Sequence, residues 1–165
     1  PFVTKEEFLR RYPATDGRLL GRDLLLEAIR DRDASAFALA LFVADTFATV
    51  DATWTPRLND LLFEDWHQSD EWLVDYLDVF RDPSSVPALL HAARKRPDHV
   101  GDDDVPALAV KAIYALRNNP SPRAVDALRE LTMDSNPTAA WNAEQRLDER
   151  VTRDEDVSAS PEPAP

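Results

Sequence analysis

Apolar residues recur every three or four positions along most of this chain, the spacing that gathers them on one face of a helix. Thr4-Lys5-Glu6-Glu7 has the form of a capping box, in which a Thr hydroxyl and a Glu carboxylate satisfy helix-start N–H groups reciprocally. Phe8, Leu9 and Tyr12 then share a face, and Pro13 ends this first helix. A second helix is expected from about Arg22 to Arg32, with Leu25, Leu26 and Ile29 inward. Asp33 caps a third, in which Phe37, Ala40, Leu41 and Ala44 recur at helical spacing; the apolar run Ala36 to Ala44 reads as a buried helix. The fourth begins near Thr53 or Thr55, with Pro56 in its first turn, and buries Leu58, Leu61 and Leu62. Ser69 caps the fifth, with Leu73, Leu77 and Phe80 inward, and Pro83 breaks it.

Four more helices are expected, from Ser85 to Arg96, Asp104 to Asn118, Ser121 to Met133 and Asn136 to about Val151. Most connections are short, so sequential helices should pack as antiparallel hairpins. With 3 Gly in 165 residues, the chain also lacks the turn punctuation of a sheet-rich fold. After Arg153 no periodic apolar face remains, and residues 152–165 are expected to form a disordered acidic tail behind one helical domain, 1–151.

The later helices repeat. Pro83, Val86 and Leu89 recur as Pro122, Val125 and Leu128, 39 positions on; Pro106, Ala109, Ala112 and Leu116 recur as Pro137, Ala140, Ala143 and Leu147, 31 positions on. The difference places an insertion within Lys95 to Asp104. Leu58, Leu61 and Leu62 match Val86, Leu89 and Leu90 at a spacing of 28, as an earlier unit.

The segment Asp82-Pro83-Ser84-Ser85-Val86-Pro87-Ala88-Leu89-Leu90, followed by Ala107-Leu108-Ala109-Val110-Lys111-Ala112-Ile113-Tyr114-Ala115-Leu116, resembles a bacterial HEAT-like repeat, and Ser121 to Leu147 resembles a second copy. Such repeats open on an Asp-Pro turn, continue through an apolar first helix and end on an alanine-rich second helix. The resemblance covers Asp82 to Val151 well and Thr53 to Phe80 loosely. It implies an all-α solenoid of about four antiparallel hairpins plus an N-terminal helix, with an extended surface that in this family usually binds proteins.

Charge narrows the function. The 31 acids and 19 bases leave a net charge of −12, which disfavours binding through phosphate neutralisation, so no nucleic-acid partner is expected. The excess is uneven. Pro1 to Ala44 holds 7 acids and 7 bases, Asp45 to Asp82 holds 10 acids against Arg57 and Arg81, and Pro83 to Pro165 holds 14 acids and 10 bases. Cysteine is absent, which excludes disulfides, thiolate metal sites and cysteine nucleophiles. No stretch approaches the roughly 20 apolar residues of a membrane span. Without a signal-peptide pattern, the expected location is cytoplasmic.

Chemistry-bearing motifs are sparse. His67 stands near Asp70 and Glu71, but no second histidine lies at ligand spacing, so His67 reads as a surface residue in a turn and His91 as a helix-surface residue; no metal site is assigned. Gly17 and Gly21 are too far apart and poorly flanked to cradle a phosphate, and no Gly-x-Ser-x-Gly elbow exists. Neither catalytic residues nor a cofactor are expected. HEAT-like proteins include bilin lyases and DNA glycosylases, but this chain has no motif for the first and the wrong charge for the second.

The most informative stretch is Ser69 to Asp82. At 100° per residue, Glu71, Asp75, Asp78 and Asp82 fall within about 60° of one another, nearly opposite Leu73, Leu77 and Phe80, with Trp72 and Val79 between the faces. One reading is a solvated face, on which like charges repel by a few tenths of a kcal/mol per pair. The other is a recognition surface of Glu71, Trp72, Asp75, Asp78 and Asp82 that docks a basic protein, as an immunity-type inhibitor or an adaptor does. Trp54, Trp66 and Trp141 read as core or hairpin-seam residues. The exposed side of Lys111, Tyr114 and Arg117 is a second candidate surface. The alternative in another class is a small enzyme or ligand-binding protein with a pocket on the concave face.

Overall fold

The computed structural model describes Arg10, residues 16–95 and residues 107–159, with side chains described as far as Thr152. The expected first helix, apart from Arg10, lies outside the described residues, as do the insertion with His99 and the last six positions. Every regular element among the described residues is helical.

Helix α1, Gly17–Asp31, starts five residues before the expected Arg22. Asp16 caps it, its carboxylate accepting from the N–H groups of Arg18 and Leu19. Gly17 and Gly21 are interior residues of α1, where their missing side chains make room. A Cβ on Gly17 would overlap the Phe47 ring, and one on Gly21 would overlap Thr49 Oγ1 and sit 3.1 Å from Ala44 Cα. They permit close packing of α1 on α2, Ala34–Thr46.

Asp33 caps α2 through Ala36 N–H, and Phe37, Ala40, Leu41 and Ala44 are buried as the spacing predicts. The expectation that the whole run Ala36 to Ala44 is buried needs correction: Leu39 is 70% and Phe42 59% exposed. The buried stripe of α2 faces α1 and the rest of the core, and no described element covers its other side.

A 3-10 turn, Ala52–Trp54, leads into α3, Thr55–Leu61; α4 is Asp70–Phe80. A second 3-10 turn, Pro83–Ser85, leads into α5, Val86–Arg94, followed by α6, Ala107–Asn118, α7, Pro122–Leu131, and α8, Pro137–Ala159. The last helix passes the expected end at Val151 and takes in 152–159 of the segment expected as a tail. Extending an established helix needs only one hydrogen bond per added residue, whereas apolar periodicity reports only the part that packs. Val151 and Thr152 are exposed.

The helices from α3 onward form two rows. In the first, α3 packs on α5 and α5 on α7; in the second, α4 packs on α6 and α6 on α8, with α6 also against α5 and α7. The shared core contains Leu58, Leu62, Leu73, Leu77, Leu89, Ile113, Leu116, Leu128 and Leu131. Leu147, expected there too, is only partly buried: α8 is the last described helix of the second row, and no further described helix covers it.

The structure also changes the register of the earliest unit. Asp51 and Asp82 each cap a 3-10 turn that runs into a helix with Pro56 or Pro87 in its first turn. Buried Thr55, Leu58, Leu61 and Leu62 then correspond to Val86, Leu89, Ala92 and Ala93, all buried, at a spacing of 31 and not 28. The Leu-to-Leu match at 28 aligned similar residues; the caps and prolines align the backbone.

Candidate functional site

The acidic stripe of α4 is partnered by α6. Val74 is buried beside Leu73 and Leu77, and at 100° per residue it lies about 40° from Asp78. Packing Val74 inward therefore turns one edge of the stripe toward its neighbour. Lys111 Nζ donates to Asp75 Oδ2 at 2.7 Å and lies 3.3 Å from Glu71 Oε2. Asn118 Nδ2 donates to Asp78 Oδ1 at 2.9 Å. The Asp82 carboxylate accepts from Ser84 N–H at 2.8 Å, and its backbone carbonyl accepts from Asn119 Nδ2 at 2.8 Å.

Hydrogen bonding from Ser84, side chain first and N–H second, holds the Asp82 carboxyl below its ordinary range; the bond to Asp75 raises Lys111. The like-charge repulsion expected along the stripe is thus offset by one lysine between two acids and by amide donors at the other two. Neutralising these acids would remove interhelix bonds as well as repulsion.

The polar seam continues across the second row. Arg117 Nε lies 3.1 Å from Glu149 Oε2 on α8, Arg146 pairs with the same carboxylate at 2.5 Å, and the Arg146 guanidinium lies 4.6 Å from the Tyr114 ring centre. The two candidate surfaces, the α4 stripe and the Lys111–Tyr114–Arg117 side, are therefore neighbours joined by Lys111. Exposed aromatics stand among these charges: Trp72 and Tyr114 at 41% each, and Trp141 at 56%. Trp54 and Trp66 pack against the core as expected, but Trp141 does not. It stands on the outward side of the terminal helix, at the position equivalent to Val110 of α6.

His67 is buried, contrary to its reading as a surface residue. Its Nε2 faces the Leu61 carbonyl at 3.0 Å and its Nδ1 accepts from Ser69 N–H at 3.3 Å, which together require the neutral ring protonated on Nε2. The ring packs against Phe37 and Trp66, with centroids 5.1 and 4.9 Å away. Burial is the main cause of its lowered pKa, opposed by Asp70. The signal was there in the apolar company of Trp66, but a turn histidine gives no periodicity from which to read burial. Sequence reasoning also missed Asn119 and Arg150, both buried. The Asn119 side chain joins Asp82 to the Ser121 N–H, and the Arg150 guanidinium donates to the carbonyls of Arg117 and Asn119 at the end of α6.

These polar groups tie turns and helix ends together. Burial, and next the neighbouring Asp45, pushes the Tyr76 hydroxyl up to about 12, which leaves it protonated at neutral pH. Among the described residues no three His, Asp or Glu side chains converge as a metal-ligand set. No described helix is long and apolar enough to cross a membrane. No protein-family model, curated protein or solved structure matches this chain.

Proposed function

We propose that this chain is a non-enzymatic protein-interaction module, a HEAT-like α-solenoid whose recognition surface is the outward side of α4, α6 and α8. The observation that carries the reading is the exposure of an aromatic residue on each of three successive second-row helices, Trp72, Tyr114 and Trp141. Trp and Tyr supply large contact area at low entropic cost and are the commonest binding hot spots. Around them, exposed Glu71 and Asp75 and half-buried Asp78 and Asp82 offer carboxylates that a basic protein partner can use as a rim, chiefly to speed encounter. An inhibitor capping a basic toxin or nuclease, and an adaptor, are the two forms this takes. The two-row packing from α3 to α8 supports the solenoid part of the reading.

The test begins with affinity capture from the native host and mass spectrometry of the bound protein. Trp72→Ala and Trp141→Ala should release that same protein faster while melting within a few degrees of the parent, since both side chains are largely exposed. Asp75→Asn should slow association at low salt and matter little at high salt. Capture of the same protein with unchanged kinetics by all three variants would remove this surface from consideration.

A further inference from the structure

An open cleft of about 320 Å³ lies between α1 and the turn into α3, lined by Arg22, Leu26, Thr53, Trp54 and Arg57. Arg22 and Arg57 reach it from two different elements, both are exposed, and neither side chain forms an ion pair or hydrogen bond with another described residue. Elsewhere on the chain Arg30, Arg32, Arg94 and Arg129 each hold a carboxylate. The side chains of Arg18 and Arg123 also form no ion pair or hydrogen bond with another described residue; what distinguishes Arg22 and Arg57 is that two such guanidiniums line one cleft. Trp54, packed on the core by one side and half-buried, contributes an indole to the lining. The Thr53 hydroxyl is already committed to Asp51 Oδ1 at 2.5 Å, so the charged donors of the cleft are the guanidiniums.

We infer that this cleft binds a phosphate monoester carried on a flat ring, a ligand of nucleoside-monophosphate kind. One guanidinium fork satisfies one carboxylate; two of them, unpaired and on opposite elements, match the larger charge and three oxygens of a phosphate. The Trp54 indole gives the ring a surface to stack on. A volume near 300 Å³ is at the small end of ligand sites, which suits one ring and its phosphate and not a dinucleotide.

Adenosine 5′-monophosphate is the probe, titrated into the full ¹⁵N-labelled chain while the Trp54 indole N–H signal, assigned with Trp54→Phe, is followed. Saturable movement of that signal is expected, at least about tenfold weaker for adenosine or inorganic phosphate alone. Arg22→Gln and Arg57→Gln should each weaken binding about tenfold without changing Tm, because both side chains are exposed and unpaired. The inference is overturned if the signal does not saturate by about 10 mM, if adenosine matches its phosphate, or if the Gln variants bind unchanged. A Glu-rich peptide that binds more tightly than the nucleotide would overturn it in favour of a protein ligand. None of these outcomes bears on the α4–α6–α8 surface.

Discussion

Replacing Asn119 with Ala tests how the second row is joined to the first. Asn119 is fully buried at the end of α6, and its amide makes two bonds at once: Nδ2 to the Asp82 carbonyl at 2.8 Å and Oδ1 from the Ser121 N–H at 3.0 Å. The first reaches back to the turn between α4 and α5, and the second shapes the turn into α7. Alanine leaves both backbone groups without these partners in a site with little access to water. The Asp82 carbonyl keeps the Ser85 N–H and loses one bond worth roughly 1 kcal/mol, while the Ser121 N–H is left unsatisfied at roughly 1–3 kcal/mol, so the cost is about 2–4 kcal/mol, a large share of a typical domain's stability. Asn118→Ala is the control, since it removes only side-chain bonds, to Asp78 and from Arg117, at a more accessible position and leaves no backbone group without a partner, so it should cost about 1 kcal/mol. Urea unfolding followed by far-UV circular dichroism measures both, and the comparison is valid if the m-value is unchanged. A loss below about 1 kcal/mol for Asn119→Ala would mean that water replaces the amide, and that the turns do not depend on it.

Other consequences follow from burial. Because the folded state lowers the His67 pKa, the unfolded chain binds the extra proton as pH falls below the ordinary histidine value of about 6.5. The stabilisation is complete above that value and declines on acidification by at most about 1.4 kcal/mol per pH unit. Urea titrations between pH 7.5 and 5 should show this slope in the parent and a shallower one in His67→Gln; equal slopes would refute it. Leu128→Ala should cost about 2–5 kcal/mol and Leu147→Ala about 1, in keeping with full against partial burial, so equal losses by denaturation would contradict the end-of-row position of α8. Gly21→Ala should lower Tm even though Ala is the better helix former by about 1 kcal/mol, because the new methyl meets Thr49 and the Ala44 backbone; a rise in Tm would mean that α1 and α2 separate easily.

The helices were legible where apolar spacing and caps agreed. Asp33 and Ser121 marked their helix starts, and Phe37, Leu58, Leu73, Leu89 and Leu128 fell in the core as their spacing requires. Reading failed where the deciding contact came from another part of the chain. Gly17 and Gly21 resemble punctuation until Phe47 and Thr49 are seen against them. Leu39 and Phe42 have the composition of core residues, yet burial depends on a neighbour that no local pattern supplies.

The candidate site shows the same division more sharply. Helical arithmetic runs through Glu71, Asp75 and Asp78 on α4 but not to Asp82, because left-handed Arg81 ends the helix and Asp82 caps the next turn; exposure, moreover, is decided by the adjoining helix. Lys111 lies 36 positions beyond Asp75, and Asn118 lies 40 beyond Asp78. Both spacings are close to the 39-residue offset between Asp82 and Ser121, at which one hairpin succeeds the next. A charge on one second-row helix therefore finds its partner on the next helix of that row, about 36–40 positions further on. A stripe read from one helix alone will look unpaired whenever its partners are on the next. The carboxylates of α4 act first as interhelix ties, and whatever they contribute to a partner must come from the oxygens those ties leave free. Trp72 and Trp141 carry no such obligation, whereas Tyr114 already faces the Arg146 guanidinium. That is why Trp72 and Trp141, and not the acids, are the sharper probes of binding.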